Sequence, residues 1–191
     1  IPTHRGKGLV YGMYDYAFPR LIDAGIQKSR LEVITENIRA VRAYQKVGFQ
    51  IERTYKCYQG EIFLNDPLPF QLEKANLDEW TVSPHFDQSS YSWDNEIETL
   101  QRGNFDAYFV LHKGQRESFF LIHPENGKIP QMKCFSSDYS SWTRLFSAIQ
   151  SLSPVIKIDN VDTREHRKID WAHRLLLKNT IDQYDMSWYK S

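Results

Sequence analysis

The stretch Arg5-Gly6-Lys7-Gly8-Leu9-Val10 decides how the first part of this sequence folds. It places two glycines directly ahead of a segment in which apolar residues recur at helical spacing. A glycine-rich turn at a helix N-terminus leaves several backbone N–H groups without an intrahelical partner, and the helix dipole favours negative charge there. The stretch therefore predicts a phosphate-binding turn followed by a helix.

Outward from that turn, the sequence predicts the order helix, strand, helix, strand. The apolar face of the first helix is predicted to consist of Leu9, Met13, Tyr16, Ala17, Leu21 and Ala24. A short β-branched strand follows at 30–35, and a second helix begins near Asn37, a good N-cap residue, and ends at Gly48. Residues 49–64 are predicted as one strand or as two strands, 49–58 and 61–64, with Gln59-Gly60 as the turn between them.

A change of composition marks a boundary after residue 64, because two prolines and several turn formers follow and all five tryptophans lie beyond it. We therefore expect domains at 1–64 and 79–191, with a linker at 65–78. The second part is predicted to form helices at 93–100, 142–152 and 165–177 and strands at 107–112, 118–123, 128–135, 155–158 and 180–188. Its last four elements repeat the order of the first part, which indicates an internal duplication.

Charge is balanced over the 191 residues but is unevenly distributed. Residues 1–60 carry ten Lys/Arg against five Asp/Glu. This excess suits an anionic ligand, although a solvated surface explains it equally well, and it is too small to indicate nucleic acid. No apolar run approaches the ~20 residues that cross a bilayer, so we expect no membrane partner and a cytoplasmic location.

The two cysteines, Cys57 and Cys134, lie far apart and have no C-x-x-C spacing, so the sequence predicts neither a disulfide framework nor a zinc site. His112 and His123 fall at predicted strand ends near acidic residues. No close group of His, Asp and Glu has a recognised ligand spacing, and a surface or core role explains these histidines better. We expect no bound metal.

Several residues together resemble the coenzyme A-binding core of the GNAT N-acetyltransferase superfamily: Arg5-Gly6-Lys7-Gly8-Leu9-Val10, Leu31-Glu32-Val33, Asn37, Ala40, Tyr44, Gly48 and Phe49. In that family the signature Arg/Gln-x-x-Gly-x-Gly/Ala precedes a helix, a strand and a second helix that ends in Tyr-x-x-x-Gly-Phe. The resemblance covers residues 1–64. Val10 departs from the small residue of the signature, and we expect it to alter the packing while keeping its backbone N–H.

The resemblance implies an α+β fold with a mixed sheet, in which a GNAT-like domain is followed by a degenerate second copy. In this family the strands that carry the general base and the acceptor pocket precede the glycine-rich loop. The sequence begins at Ile1, without an initiator Met. We therefore expect that the first copy lacks its N-terminal strands here, and no general base is assigned.

The resemblance also implies roles for individual residues. It assigns the pyrophosphate of acetyl-coenzyme A to the backbone amides of Arg5, Gly6, Lys7, Gly8, Leu9 and Val10. It further implies that Asn37 hydrogen-bonds the pantetheine arm and that the Tyr44 hydroxyl protonates the departing thiolate. A positioned acid speeds the departure of a thiol whose pKa is near ~8.5. The structural alternatives are an N-cap for Asn37 and a core tyrosine for Tyr44.

Two function classes follow. The first is an N-acyltransferase that moves acetyl from acetyl-coenzyme A to a small-molecule or peptide amine by direct attack. The second is a non-catalytic acyl-coenzyme A-binding or oligomerisation module, which is favoured if the N-terminal strands are absent from the native protein. Another chain could also supply those strands, because an unpaired edge beside 31–35 favours pairing. The second copy is not expected to bind coenzyme A, because 136–141 contains no glycine or basic residue and Asp138 would repel a diphosphate.

Overall fold

The computed structural model describes residue 3 and residues 6–190. Helices lie at Leu9–Asp23 (α1), Ile38–Lys46 (α2), Leu77–Thr81 (α3), Ile97–Leu100 (α4), Tyr139–Leu152 (α5) and His166–Arg174 (α6). Strands lie at Lys28–Ile34 (β1), Gln50–Glu61 (β2), Gln71–Ala75 (β3), Asp106–His112 (β4), Gln115–Ile122 (β5), Met132–Cys134 (β6), Val155–Asp162 (β7) and Lys178–Tyr189 (β8). The mixture confirms the predicted α+β class.

The chain divides into two compact units. Unit 1 contains the residues up to Tyr55 and those from Asp182 onward, and unit 2 is Lys56–Ile181. The long strands β2 and β8 each continue from one unit into the other. These limits do not coincide with the predicted boundary after residue 64, and the predicted linker at 65–78 contains β3. The reason is that the C-terminal strand, distant in sequence, pairs within unit 1.

In unit 1, strand β1 pairs antiparallel with β8, with Lys28 opposite Tyr189 and Ile34 opposite Gln183. On its other side β8 neighbours β2. Side chains of a strand alternate between its two faces, and alternate residues of β1 and β8 supply apolar groups to a core that also receives α1 and α2. The buried members of that core are Val33, Val41, Phe49 and Met186.

In unit 2, strands β3, β4, β5 and β6 form an antiparallel sheet in that order, and β7 neighbours β2. Strands β4 and β5 are joined at Lys113 and Gly114, whose φ angles of 51° and 76° suit a tight hairpin turn. Helix α5 packs into the core with nine consecutive buried residues, from Ser141 to Ile149. Its apolar side chains Trp142, Leu145, Phe146, Ala148 and Ile149 belong to the largest buried cluster.

The structure departs from two sequence predictions about these elements. Of the one or two strands predicted for 49–64, a single strand forms, because β2 continues through Gly60, and the alternative with a turn at Gln59-Gly60 is wrong. A Cβ on Gly60 would lie 3.4 Å from Leu177 Cδ2, so this glycine allows a close approach instead of a reversal. The predicted strand at 128–135 is shortened to β6, because Ile129 donates its N–H to Lys157 O outside that strand.

The apolar face predicted for α1 is partly wrong, because Ala17 and Leu21 are half-buried but its other members are exposed. Leu9, Met13 and Tyr16 are 52%, 68% and 65% exposed. The face that turns toward the core is instead the neighbouring stripe, in which Tyr14 and Phe18 pack against the buried cluster. Both stripes have helical spacing, but the second brings two large rings into the core, and burial of aromatic surface decides the orientation.

Element positions recur along the chain. Helices α2 and α6 each have nine residues and begin at 38 and 166, and strands β2 and β8 each have twelve residues and begin at 50 and 178, so both pairs are 128 residues apart. This constant offset supports the proposed internal duplication.

Candidate functional site

The glycine-rich turn leads directly into α1. Gly6 and Gly8 have φ angles of 75° and 69°, in the left-handed region that glycine adopts without strain, and a Cβ at either position would meet nothing within 4 Å. Gly8 is the N-cap of α1, and in the described part of the chain no side chain caps this helix. The first-turn N–H groups, including those of Leu9 and Val10, therefore have no intrahelical partner.

The electrostatics of this turn favour an anion. The first turn of α1 contains no acidic residue, and the exposed Lys7 immediately precedes the N-cap. The partial positive charge of a helix N-terminus adds to that of the lysine. Arg5, the first residue of the predicted phosphate loop, lies outside the described residues.

Helix α2 ends in a Schellman motif, which explains the spacing Tyr-x-x-x-Gly-Phe. Phe49 N–H donates to Tyr44 O at 3.0 Å, and Gly48 N–H donates to Gln45 O at 3.0 Å. Gly48 has a φ of 98°, and a Cβ there would lie 3.2 Å from Trp188 Cδ1. The motif therefore requires glycine at position 48, both for its backbone angle and for the approach of Trp188.

The Tyr44 ring lies in an aromatic group. Its centroid is 6.0 Å from that of Phe49, and it meets the ring of Tyr14 edge to face at 6.3 Å. Burial, with a smaller contribution from Tyr44, raises the pKa of Tyr14 above its usual value. Tyr44 is half-buried, and within residues 6–190 no side chain or backbone group hydrogen-bonds its hydroxyl.

Asn37 is the N-cap of α2, which is the structural alternative to a ligand-binding role that the sequence leaves open. Its side-chain oxygen accepts a hydrogen bond from Ala40 N–H at 3.2 Å. This occupies the oxygen and leaves the amide Nδ2 as the donor for any ligand. Asn37 lies at the opposite end of the helix from Tyr44, seven residues away, or about 10 Å along the axis.

Helices α1 and α2 bring the predicted site residues into one unit. Tyr14 contacts Tyr44, and Lys46 Nζ lies 6.0 Å above the ring of Tyr11 in the first turn of α1. Tyr14 is not among the site residues that the sequence predicts. The stripe Tyr14, Ala17, Phe18, Leu21 and Ile22 is the signal that could have identified it, because it follows the spacing of a helix face without interruption.

In unit 2, the corresponding helix start differs. Asp138 is the N-cap of α5, and its N–H donates to Ser136 Oγ at 3.1 Å. The exposed carboxylate of Asp138 puts a negative charge where α1 has Lys7 and two glycines. A diphosphate is disfavoured at this position.

The segment 88–95 lies between strand β7 and the residues that directly precede strand β6. These two stretches meet at a parallel bridge between Lys128 and Lys157. Beyond it, Asn95 connects them, because its Nδ2 donates to Asp159 O at 2.9 Å and its backbone carbonyl oxygen accepts from Gln131 Nε2 at 2.7 Å. The segment therefore replaces direct pairing between the two stretches.

Little space is left around this segment. The buried Tyr91 donates its hydroxyl hydrogen bond to Met132 O at 2.9 Å, and the buried Lys168 lies over the Tyr91 ring at 4.7 Å and near Glu165 at 3.3 Å. The remaining cavity has a volume of about 10 Å³. That is room for about one water molecule.

Three further observations bear on cofactors and location. Among the described residues, no group of three or more His, Cys, Asp or Glu side chains could hold a metal ion. No disulfide joins Cys57 and Cys134. In the part of the chain that the structure covers, every helix is too short or too polar to span a bilayer.

Comparison with known proteins agrees with this arrangement. Residues 1–49 match the model of the Acetyltransferase (GNAT) family. No curated protein matches the chain. The resemblance to the GNAT superfamily is thus confirmed in sequence for the segment that carries the glycine-rich turn and the Gly48-Phe49 cap.

Solved structures of similar fold include a candidate acetyltransferase from Pyrococcus horikoshii, with a TM-score of 0.64 and 15% identity over 100% of this chain and 63% of that one. GCN5-related N-acetyltransferases from Anabaena variabilis and Sphaerobacter thermophilus both have TM-scores of 0.60, with 15% and 11% identity. They are matched over 97% and 98% of this chain and over 52% and 70% of their own lengths. The fold is that of GNAT proteins, and the chain spans 63%, 52% and 70% of the lengths of these three structures.

Proposed function

We propose that this chain takes part in the transfer of an acetyl group from acetyl-coenzyme A to an amine. The observation that carries the proposal is the combination, in unit 1, of a helix start at Gly8 that no described side chain caps with the half-buried Tyr44 on the adjoining helix. The first provides donors for a pyrophosphate, and the second provides an acid for a leaving thiolate.

The proposed binding contacts come from the turn and from α2. Backbone N–H groups of Gly6, Lys7, Gly8, Leu9 and Val10, with Arg5, hold the pyrophosphate. Asn37 donates its Nδ2 hydrogen bond to a carbonyl of the pantetheine arm while its oxygen keeps the helix cap. Binding at several backbone donors fixes the thioester relative to Tyr44 and reduces the entropy cost of the reaction.

In the proposed reaction the amine nitrogen attacks the thioester carbon, so that a C–N bond forms and the C–S bond breaks. Tyr44 gives its hydroxyl proton to the sulfur as it leaves, and the tyrosinate regains a proton from water. The attacking nitrogen loses one proton to solvent or to a base that no described residue is assigned to. No covalent enzyme intermediate and no metal is needed. The acceptor is proposed to be a small-molecule or peptide amine.

Unit 2 is proposed to be a degenerate copy that does not bind coenzyme A. Support comes from the N-cap Asp138, which is acidic, and from the segment 88–95, which fills the crevice beside β7. One molecule of acetyl-coenzyme A per chain is the expected stoichiometry.

A non-catalytic acyl-coenzyme A-binding or oligomerisation module is the second candidate. One observation favours it: α1 exposes Leu9, Met13 and Tyr16, an apolar surface suited to contact with another chain. A homo-oligomer is the partner proposed in that case.

Coenzyme A release in the presence of a panel of amines separates the two candidates. Thiol release that depends on an amine, and that falls at least tenfold in Tyr44→Phe while acetyl-coenzyme A still binds, supports the transferase with Tyr44 as acid. Calorimetric binding of acetyl-coenzyme A without release for any amine supports the module. Absence of binding in the wild type would remove the transferase and the acyl-coenzyme A-binding module and would leave only the oligomerisation module.

A further inference from the structure

Tyr14 lies outside the family signature but contacts the proposed acid. Its ring meets Tyr44 at 6.3 Å and an interplanar angle of 83°, and meets Phe49 at 5.3 Å and 66°. Tyr44 and Phe49 are themselves 6.0 Å apart at 66°. Three rings therefore contact one another edge to face, an arrangement that aromatic quadrupoles favour.

Within this group of three rings, burial and the helix cap fix the position of Phe49, whereas neither of them fixes the side chain of Tyr44. Phe49 is 2% exposed and its N–H is held in the cap at the end of α2. Tyr44 is half-buried in the last turn of the same helix, and its hydroxyl has no hydrogen bond within residues 6–190 that would fix its orientation. Ring contacts therefore decide which side-chain rotamer Tyr44 adopts.

Tyr14 also connects Tyr44 with the glycine-rich turn. It lies six residues after the N-cap Gly8 on the same helix, α1. Residues of one helix move together, so the position of the turn relative to Tyr44 depends on the contact between Tyr14 and Tyr44. In a transfer reaction, the position of the turn relative to Tyr44 sets the alignment of the thioester with the acid.

We infer that Tyr14 is a positioning residue, whose ring holds Tyr44 in the orientation needed to protonate the leaving thiolate; the inference rests on the function proposed above for Tyr44. The Tyr14 ring, and not its hydroxyl, performs this role, because the contact is made edge to face between rings. A ring pair of this geometry changes the population of an oriented rotamer by about three- to tenfold.

Phe18 offers a matched control on the same helix. It packs against Tyr14 at 4.9 Å, Phe49 at 6.2 Å and Trp188 at 4.1 Å. Among the described residues it makes no ring contact with Tyr44. Phe18→Ala therefore removes a similar ring from the same cluster without removing the contact under test.

The test is an NMR spectrum of the full chain labelled with ζ-carbon-13 tyrosine, in which the Tyr44 signal is identified by its loss in Tyr44→Phe. Tyr14→Ala is expected to shift or broaden that signal, while Tyr14→Phe and Phe18→Ala leave it at the wild-type position. An unmoved Tyr44 signal in Tyr14→Ala overturns the inference. An equal change in Phe18→Ala also overturns it, because general loosening of the cluster would then be the cause.

Turnover with an amine from the panel adds a second readout. Tyr14→Ala is expected to lower kcat about fivefold with KM for acetyl-coenzyme A within about twofold of wild type, and Tyr14→Phe to recover most of the loss. If Tyr44→Phe lowers kcat but Tyr14→Ala does not, the inference fails and the proposed function stands. If Tyr44→Phe keeps full kcat, the acid role fails, while the NMR result still decides whether Tyr14 orients Tyr44.

Discussion

Helices α1 and α5 hold the same place in the repeated order of elements, but they differ in their N-terminal residues and in their burial. Helix α1 starts at a left-handed glycine beside a lysine, and in this helix, all of whose residues are described, none is buried. Helix α5 starts at Asp138 and has nine buried residues. Helix α1 thus presents the proposed ligand-binding N-terminus on an exposed helix, whereas α5 contributes to the core of its unit.

The C-terminal ends of α2 and α6 share a backbone motif but differ in one side chain. Both close with a Schellman motif, in which Leu177 N–H donates to Ala172 O at 2.9 Å as Phe49 N–H donates to Tyr44 O. At the offset of 128 residues, Ala172 stands where α2 has Tyr44 and provides no acid. The backbone geometry persists in both places, so the chemistry depends on a few side chains.

The largest expected effect comes from closing the turn before α1. Gly8→Trp puts an indole where a Cβ now meets nothing within 4 Å, and it strains a φ of 69°. We expect acetyl-coenzyme A to bind at least about a hundredfold more weakly, a loss of about 2.7 kcal/mol. Isothermal titration calorimetry measures this.

Gly114→Trp is the control for Gly8→Trp. Gly114 has a φ of 76° and open space in the β4–β5 turn, so the backbone strain is similar. Its affinity for acetyl-coenzyme A should equal that of the wild type. Equal weakening in both variants, or in neither, would contradict the placement of the cofactor at the turn before α1.

The sequence predicted the local elements of unit 1 well, because each has its own signal. The limits of α1, β1 and α2 agree within two residues of the predicted ones, and Gly48 ends α2 as expected. Glycine turns, N-caps and caps at helix ends are decided by neighbouring residues in the chain. The site residues that lie in such motifs could therefore be located from sequence.

What the sequence did not predict depends on distant contacts. The residues Gln59-Gly60 predict a turn locally, whereas the contact that decides the backbone at Gly60 is with Leu177, more than a hundred residues away. The orientation of α1, and with it the contact between Tyr14 and Tyr44, depends on the rings of Phe49 and Trp188. The pairing of β1 with β8 is likewise invisible to any local pattern.

The second-largest expected effect tests the structural role of α5. The guanidinium of Arg144, buried on this helix, forms two hydrogen bonds to Glu117, at 2.8 and 3.1 Å. Arg144→Met leaves the Glu117 carboxylate without this partner and should lower the free energy of unfolding by about 2 kcal/mol. Urea denaturation measures the change, and the affinity for acetyl-coenzyme A should remain at the wild-type value.

Two variants control this result. Lys74→Met removes the exposed pair with Asp106 and should leave the urea midpoint near that of the wild type. Adding Glu117→Gln to Arg144→Met should recover part of the lost stability, because the unpaired charge is removed. A double variant as unstable as the sum of the single ones would argue against a coupled pair.

A smaller effect concerns alkaline pH in unit 2. Burial, as the main cause, raises the pKa of Cys134 from 9.0 to about 11. The folded chain thus holds the thiol proton more tightly than the unfolded chain, so stability is complete below pH 9 and declines as pH rises toward 11. At pH 10 the wild type should have lost about 1.4 kcal/mol more than Cys134→Ala, each compared with its own value at pH 7. Parallel stability profiles for the two proteins would show that the thiol is not sealed from solvent.

The smallest effect tests whether the two helix caps are equivalent. Leu176 holds the left-handed position after α6 with a φ of 58° and is 75% exposed, so its side chain gains little from burial. Leu176→Gly should relieve the strain and stabilise the chain by up to about 1 kcal/mol. Gly48→Ala, at the matching position after α2, should destabilise it, because alanine is strained at that φ and its Cβ lies 3.2 Å from Trp188. Thermal denaturation of both variants measures these opposite signs; the same sign in both would mean that only one of the caps is held in the left-handed conformation.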